Sequence, residues 1–351
     1  VSGADTRILH VGNAPESNGG IASVIRSHLA RRLPGFAVTS VATHVPRTNV
    51  VVRARVWLVA LSRIARSHPR GIVHVHLAQR GSLLREGAAV FVARAAGHRT
   101  VVTLHGSGLM NAGPVQTAAL RLVCGRAHVV HGFADRYAMR FRIPASQWAR
   151  IPNDVATPER SRPRNGDRPT VVFLGEAGLR KGIDLLAVAW DDELARRARL
   201  VIVGGATPEA ANSLAALSRR PGVSILGEVP HVQALALLSD AALLVQPSRA
   251  EAFPMSVCEA MAAGCAVVGT DVGGLGELLA AAGQPVVATD AEALRSTLVA
   301  SLSDPDRLRL LRLQALAYAR RELATDVVTT RWHRLYSGLS TRPGVAQRVL
   351  S

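Results

Sequence analysis

The sequence predicts an α/β protein of two domains built on parallel strands, and three observations carry that reading. Short runs rich in Val, Ile and Leu, among them Ile72–Leu77 and Thr170–Leu174, end in glycine-rich or polar loops and are followed by helical spacing of apolar residues. At 351 residues the chain has room for two hydrophobic cores. Between the two sets of strands, TPERSRPRNGDRP at 157–169 is polar and broken by prolines, as an interdomain linker is.

Taken in order, residues 7–11 read as the first strand, and the loop GNAPESNGG leads to a helix starting at Ile21. Gly19 and Gly20 suit a backbone that must approach a ligand closely, and equally a tight strand-to-helix turn. The loop lacks the G-x-G-x-x-G spacing of a dinucleotide site, which argues against a dehydrogenase. Residues 47–70 carry six arginines and no acid, and much of the segment has helical spacing. Such a helix either packs its apolar side on the sheet or lies on anionic lipid. Strands at 72–77 and 100–104 run into the loops AQRGSLLREG and HGSG at their carboxyl ends, where open α/β sheets bind ligands. His74, His76, His128 and His131 lie in strand-like runs and read as structural, whereas His105 stands at a strand end beside glycines.

A strand at 127–131 precedes IPND at 151–154, and a second sheet starts at Thr170. Its loop GEAGLRKG holds Lys181, the only lysine among 42 basic residues. A composition so poor in lysine points to a site that needs a compact ammonium, the form in which lysine acts as a point charge on phosphate. Strands at 200–203 and 223–226 end in Gly204-Gly205 and Gly227-Glu228, and a last strand is expected at 285–288. Helical patterns cover 291–302, 305–323 and 332–339, with a poorly ordered tail after Arg342.

Charge is unevenly placed. Residues 1–160 hold 21 Arg against 6 acids, while 161–351 hold 21 basic against 19 acidic groups. A basic first half suits an anionic membrane surface or an acidic acceptor, or reflects a preference for arginine at every cationic position. Few aromatics and no helix-turn-helix or zinc pattern speak against nucleic acid. No apolar run approaches the roughly 20 residues of a membrane span, and nothing at the start reads as a signal peptide. Cys124, Cys258 and Cys265 have no metal-ligand spacing and read as reduced packing residues of a cytoplasmic protein.

The stretch 243–277, LLVQPSRAEAFPMSVCEAMAAGCAVVGTDVGGLGE, is the most informative. An apolar strand breaks at Pro247 into a loop that holds Glu251. Pro254 then opens a helix whose first N–H groups, those of Met255 and Ser256, are free for an anion. Glu259 lies on their face one turn further on, where a carboxylate can accept from the two hydroxyls of a ribose. Glu251 and Glu259 within EAFPMSVCEAMAAG, with Phe253, Pro254, Met255 and Ser256 between them, resemble the Glu-x7-Glu signature of GT4-type retaining glycosyltransferases of the glycosyltransferase group 1 family.

That resemblance implies a GT-B fold, with two Rossmann-like domains facing each other across a cleft. An acceptor domain would span 1–155, a nucleotide-sugar donor domain 169–330, and a helix and tail at 331–351 would return to the first domain. It implies that Gly19 and Gly20 face the donor phosphates and that His105, in TLHGSG, lies near the donor sugar. Ser82 and Arg85 of GSLLREG resemble a loop of members that build bacterial polysaccharides. Lys181 matches a family lysine on the diphosphate, but the family's arginine falls on Glu176, leaving Arg180 as the nearby cation. Glu251 would bind the transferred sugar. The partners implied are a nucleotide-sugar donor and a hydroxyl-bearing acceptor. No DxD-like acidic pair stands in a donor loop to hold Mg²⁺, so no metal or other cofactor is expected, and the charge of the basic first domain allows peripheral membrane contact. Rival readings are a GT-B epimerase or hydrolase and a non-catalytic nucleotide-sugar-binding protein.

Overall fold

Residues 5–17, 20–45, 48–67, 69–79, 81–156 and 168–340 are described by the computed structural model, so Gly19, most of the linker and the tail lie outside the described residues. Twelve strands form among them. The first sheet holds β1 (Thr6–Asn13), β2 (Phe36–His44), β3 (Ile72–Leu77), β4 (Arg99–Leu104), β5 (Val129–Gly132) and β6 (Trp148–Arg150), in the order β2-β1-β3-β4-β5-β6. The second holds β7 (Thr170–Leu174), β8 (Arg199–Val203), β9 (Val223–Gly227), β10 (Leu243–Gln246), β11 (Ala266–Thr270) and β12 (Val286–Val287), in the order β12-β11-β10-β7-β8-β9. Every pairing is parallel. The two sheets are the cores of two Rossmann-like domains of GT-B type.

Parallel strands covered on both faces are apolar along most of their length, which is why β3, β7 and β11 match their sequence ranges. The edge strand β2 alternates between buried and accessible positions and gives no apolar run. β12, also at an edge, shrinks to two residues of the expected 285–288. The helical pattern at 305–323 is helix over Pro305–Tyr318 and a wider π turn over Ala319–Leu323.

By internal contacts the chain forms one unit from Val1–Ile151 with Val328–Ser351, and a second from Pro152–Val327. The last helix, Thr325–Ser340, therefore begins in the second unit and continues in the first. Its Trp332, Leu335 and Tyr336 cover one face of the first sheet, against Ile8, Ile72, Val101 and Val129. Each such side chain, fully buried, contributes about 1.5–3 kcal/mol. The opposite face packs on a cluster that includes Val11, Val75, Val102 and Leu120.

In each sheet the strand order reverses once, between β1 and β3 and between β7 and β10. At such a point adjacent crossovers leave in opposite directions, opening a crevice at the carboxyl ends of the strands. That rule directs attention to the loops after β1, β3, β7 and β10.

Candidate active site

In the second unit the loops after β7 and β10 bring together residues 70 positions apart. Lys181 Nζ donates to Glu251 Oε1 at 2.5 Å, with 12% and 8% of the two side chains exposed. Ser248 Oγ donates to the same oxygen at 3.0 Å and Gln246 Nε2 reaches it at 3.5 Å. All of these bonds fall on Oε1, and Oε2 takes none among the described residues. An ammonium has three N–H donors, so Lys181 keeps two beyond the one spent on Glu251. Ser256, in the first turn of the helix Met255–Ala262, donates to Gln246 Oε1 at 3.2 Å. A continuous set of hydrogen bonds thus runs from Lys181 to the start of that helix. The first bonds of the helix are donated by Val257 and Cys258 to the Pro254 carbonyl, leaving the Met255 and Ser256 N–H groups ahead of them.

Backbone geometry fixes this arrangement. Gly182 has φ +76°, and a Cβ there would stand 1.9 Å from the Pro247 carbonyl oxygen. Gly273 has φ +50°, and its Cβ would stand 1.6 Å from the Glu251 carbonyl oxygen. Only glycine allows these close approaches. Arg249 adds a clamp that the sequence reading missed: it meets Asp184 with two bonds of 2.7 Å and donates to the Leu179 carbonyl at 2.7 Å. These bonds hold the Asp184 carboxyl below its usual range. Arg180 lies 3.8 Å from Glu251 Oε1 and 3.6 Å from Glu176, so the acid at the family's arginine position is itself paired.

Glu259, one turn into the helix, accepts from His231 Nε2 at 2.9 Å, with the His231 side chain 68% exposed. His231 opens the helix His231–Asp240. No sequence motif marked it, because its role comes from a contact across the fold. A recess of about 470 Å³ in the same unit is lined by Gly175, Glu176, Gly204, Gly205, Glu228 and Val229. Phe253 packs at the edge of the unit's core, Pro254 is buried and Met255 is exposed.

In the first unit, Gly20 opens the helix Gly20–Ala30 after β1. His105 follows β4, with its N–H on the Leu77 carbonyl at 2.7 Å and its ring stacked on His76. Its Nε2 meets His76 Nδ1 at 2.8 Å, and His76 Nε2 meets His10 Nδ1 at 2.9 Å. A second chain links Tyr336 OH to His74 Nδ1 at 2.7 Å, His74 Nε2 to Thr103 Oγ1 at 2.6 Å, Thr103 to His131 Nδ1 at 3.0 Å, and His131 Nε2 to the Ile151 carbonyl at 2.8 Å. Burial keeps these rings neutral, with His10 and His105 lowered to about 3 and His131 to about 4. The expectation of structural roles for His74, His76 and His131 agrees with their burial. One nitrogen each of His10, His74 and His76 lies within 4.8 Å of the others, yet all four nitrogens of His74 and His76 already have hydrogen-bond partners. Glu86, only 1% exposed and accepting from Thr43 Oγ1 at 2.5 Å, is another polar residue that sequence pattern did not single out.

A family model described as "Glycosyl transferases group 1" matches residues 168–304. D-inositol 3-phosphate glycosyltransferase 1 of Catenulispora acidiphila is 31% identical over 290 residues, covering 71% of this chain and 68% of that protein. A D-inositol 3-phosphate glycosyltransferase of Xylanimonas cellulosilytica is 35% identical over 134 residues, which is 36% of this chain. The chain spans about a third of the length of that relative (32%) and of the one from Nocardia farcinica (36%). Among solved structures, sucrose-phosphate synthase from Thermosynechococcus elongatus superposes with a TM-score of 0.75 at 19% identity, covering 95% of this chain and 99% of that one. Anabaena HepE in complex with UDP and glucose gives 0.71 at 15% identity over the same shares. The parallel sheets, the reversal points and these likenesses agree, and the chain belongs to the group 1 glycosyltransferases.

Proposed function

We propose that this protein is a retaining glycosyltransferase of GT4 type, moving a sugar from a nucleotide-sugar donor to an acceptor hydroxyl without a metal ion. The observation that carries the reading is the Lys181–Glu251 pair at the reversal point of the second sheet, joined by hydrogen bonds to the start of the helix Met255–Ala262. As the anomeric C–O bond of the donor breaks, negative charge gathers on the departing diphosphate. The two remaining N–H donors of Lys181, the guanidinium of Arg180 and the N–H groups of Met255 and Ser256 stabilise it there. The open Oε2 of Glu251 accepts from hydroxyls of the transferred sugar, and Glu259 accepts from the ribose. Gly19, Gly20 and His105 serve the donor and acceptor from the first unit. The HepE complex with UDP and glucose supports a nucleotide-sugar donor for this fold.

Calorimetry with UDP, GDP, ADP and TDP tests the reading. One of them is expected to bind, and Glu259→Ala to weaken it about tenfold, the loss of roughly one charge-assisted hydrogen bond. Failure of all four to bind would remove the donor reading. Unchanged affinity in the variant would remove only the role of Glu259.

The first unit is proposed to touch anionic membrane through the helix Val50–Arg66. That helix buries Ala60 and Ile64 on the sheet but leaves Val51 and Leu58 exposed at 75% and 59%, beside Arg55, Arg63 and Arg66. Among the described residues no helix is long and apolar enough to cross a membrane. With about 1 kcal/mol per arginine near a charged surface, replacing those three by Gln should cut affinity for phosphatidylglycerol vesicles roughly a hundredfold in sedimentation assays. Equal binding of the parent to neutral vesicles contradicts it.

A further inference from the structure

The two hydrogen-bond chains on the first sheet differ in how they end. Ile151's carbonyl can only accept, so His131 carries its hydrogen on Nε2 and accepts at Nδ1 from the Thr103 hydroxyl. Thr103 has then spent its one hydrogen and accepts from His74 Nε2, whose Nδ1 accepts from Tyr336. The carbonyl thus sets both tautomers of that chain.

The chain His105–His76–His10 has no such anchor. Each ring is neutral and holds one hydrogen, so its bonds must all point the same way. Either every ring is protonated on Nε2 or every ring on Nδ1. The inner end decides between them. His10 Nε2 is buried and has no hydrogen-bond partner among the described residues. A buried N–H without an acceptor is rarer in folded proteins than an acceptor with a spare lone pair.

We infer that His76 and His10 are positioning residues that leave His105 with its hydrogen on Nδ1, so that it meets its ligand as a hydrogen-bond donor to an oxygen atom and not as a base. That nitrogen makes no bond among the described residues, and the ring is clamped between His76 and Phe133. The ligand atom is a hydroxyl or phosphoryl oxygen of the sugar nucleotide. This identification rests on the proposed function; the tautomer itself does not.

Two-bond proton–nitrogen correlation spectra of the full chain, labelled with ¹⁵N-histidine at neutral pH, distinguish the tautomers, with signals assigned through single His→Asn variants. His10, His76 and His105 are expected to give the Nδ1–H pattern, and His74 and His131 the Nε2–H pattern as internal standards. An Nε2–H pattern at His105 or His76 overturns the inference. In His76→Gln the amide can still donate to His105 Nε2, and the Nδ1–H pattern should survive. In His76→Leu it should give way to a tautomer mixture; an unchanged pattern there removes the positioning role. Should the leucine variant fail to fold, the parent spectrum decides alone. None of these readouts needs turnover, so the inference and the glycosyltransferase reading fail separately.

Discussion

Lys181→Ala is expected to lower donor turnover about 10²–10³-fold while changing nucleoside diphosphate affinity less than about tenfold, because a preorganised charge aimed at a leaving group acts mainly in the transition state. On the proposed reading, the ground-state donor is already held by the helix start at its diphosphate and by Glu259 at its ribose. The charge that grows as the bond breaks is the part left to the ammonium. The substitution also has a structural cost, since Glu251, 6% exposed, would keep Ser248 and Gln246 but lose its principal cation. Breaking a nearly buried pair of this kind costs about 3–5 kcal/mol, so melting temperature must be followed beside activity. Adding Glu251→Gln to Lys181→Ala separates the two effects. The double variant leaves neither an ammonium nor a carboxylate unpaired, so stability should hold while turnover stays low. Release of nucleoside diphosphate, followed at saturating donor, measures both variants. Full turnover in a folded Lys181→Ala protein would show that the departing charge is met elsewhere. Activity that vanishes in chelator and returns with magnesium would transfer that role to a metal.

The parts of this fold that could be read from sequence are those in which a single segment carries the whole signal. β3, β7 and β11 are short runs dominated by apolar residues, and the helix Met255–Ala262 is bracketed by Pro254 and Gly264. Lys181 stood out because no other lysine exists in the chain. What stayed hidden depends on contacts between distant segments. β2 is half solvated, so its residues do not declare a strand. Arg249 and Asp184 look like any surface charges until two loops are brought together, and His231 gains meaning only opposite Glu259. The histidines of β1 and β3 could be read as buried, but the direction of their hydrogen bonds depends on the Ile151 carbonyl at one end and on His10 Nε2, unpartnered among the described residues, at the other, which no single segment displays.

The same histidines make the first unit expected to unfold in mild acid before the second. Six of them, His10, His28, His74, His76, His105 and His131, have pKa values lowered from the usual 6.5, chiefly by burial. The sign follows from which state binds protons. Above pH 6.5 neither the folded nor the unfolded chain is protonated at these rings, and stability is at its full value. Below 6.5 the unfolded chain takes up protons that the folded one refuses, and stability falls until the folded pKa values near 3–4 are reached. Each ring contributes about 1.4 kcal/mol per pH unit once titration is well under way, so one unit below 6.5 the loss is roughly 8 kcal/mol, comparable with the whole stability of a typical domain. The second unit contains one histidine, His231, which is exposed and is not part of this array. Samples held between pH 7 and 4 and then pulse-labelled with deuterium at a common pH should show β1, β3, β4 and β5 exchanging from about pH 5.5, while β7, β10 and β11 remain protected. Simultaneous opening of both sheets, or a first sheet still protected at pH 4, would mean that the buried rings accept protons inside the fold.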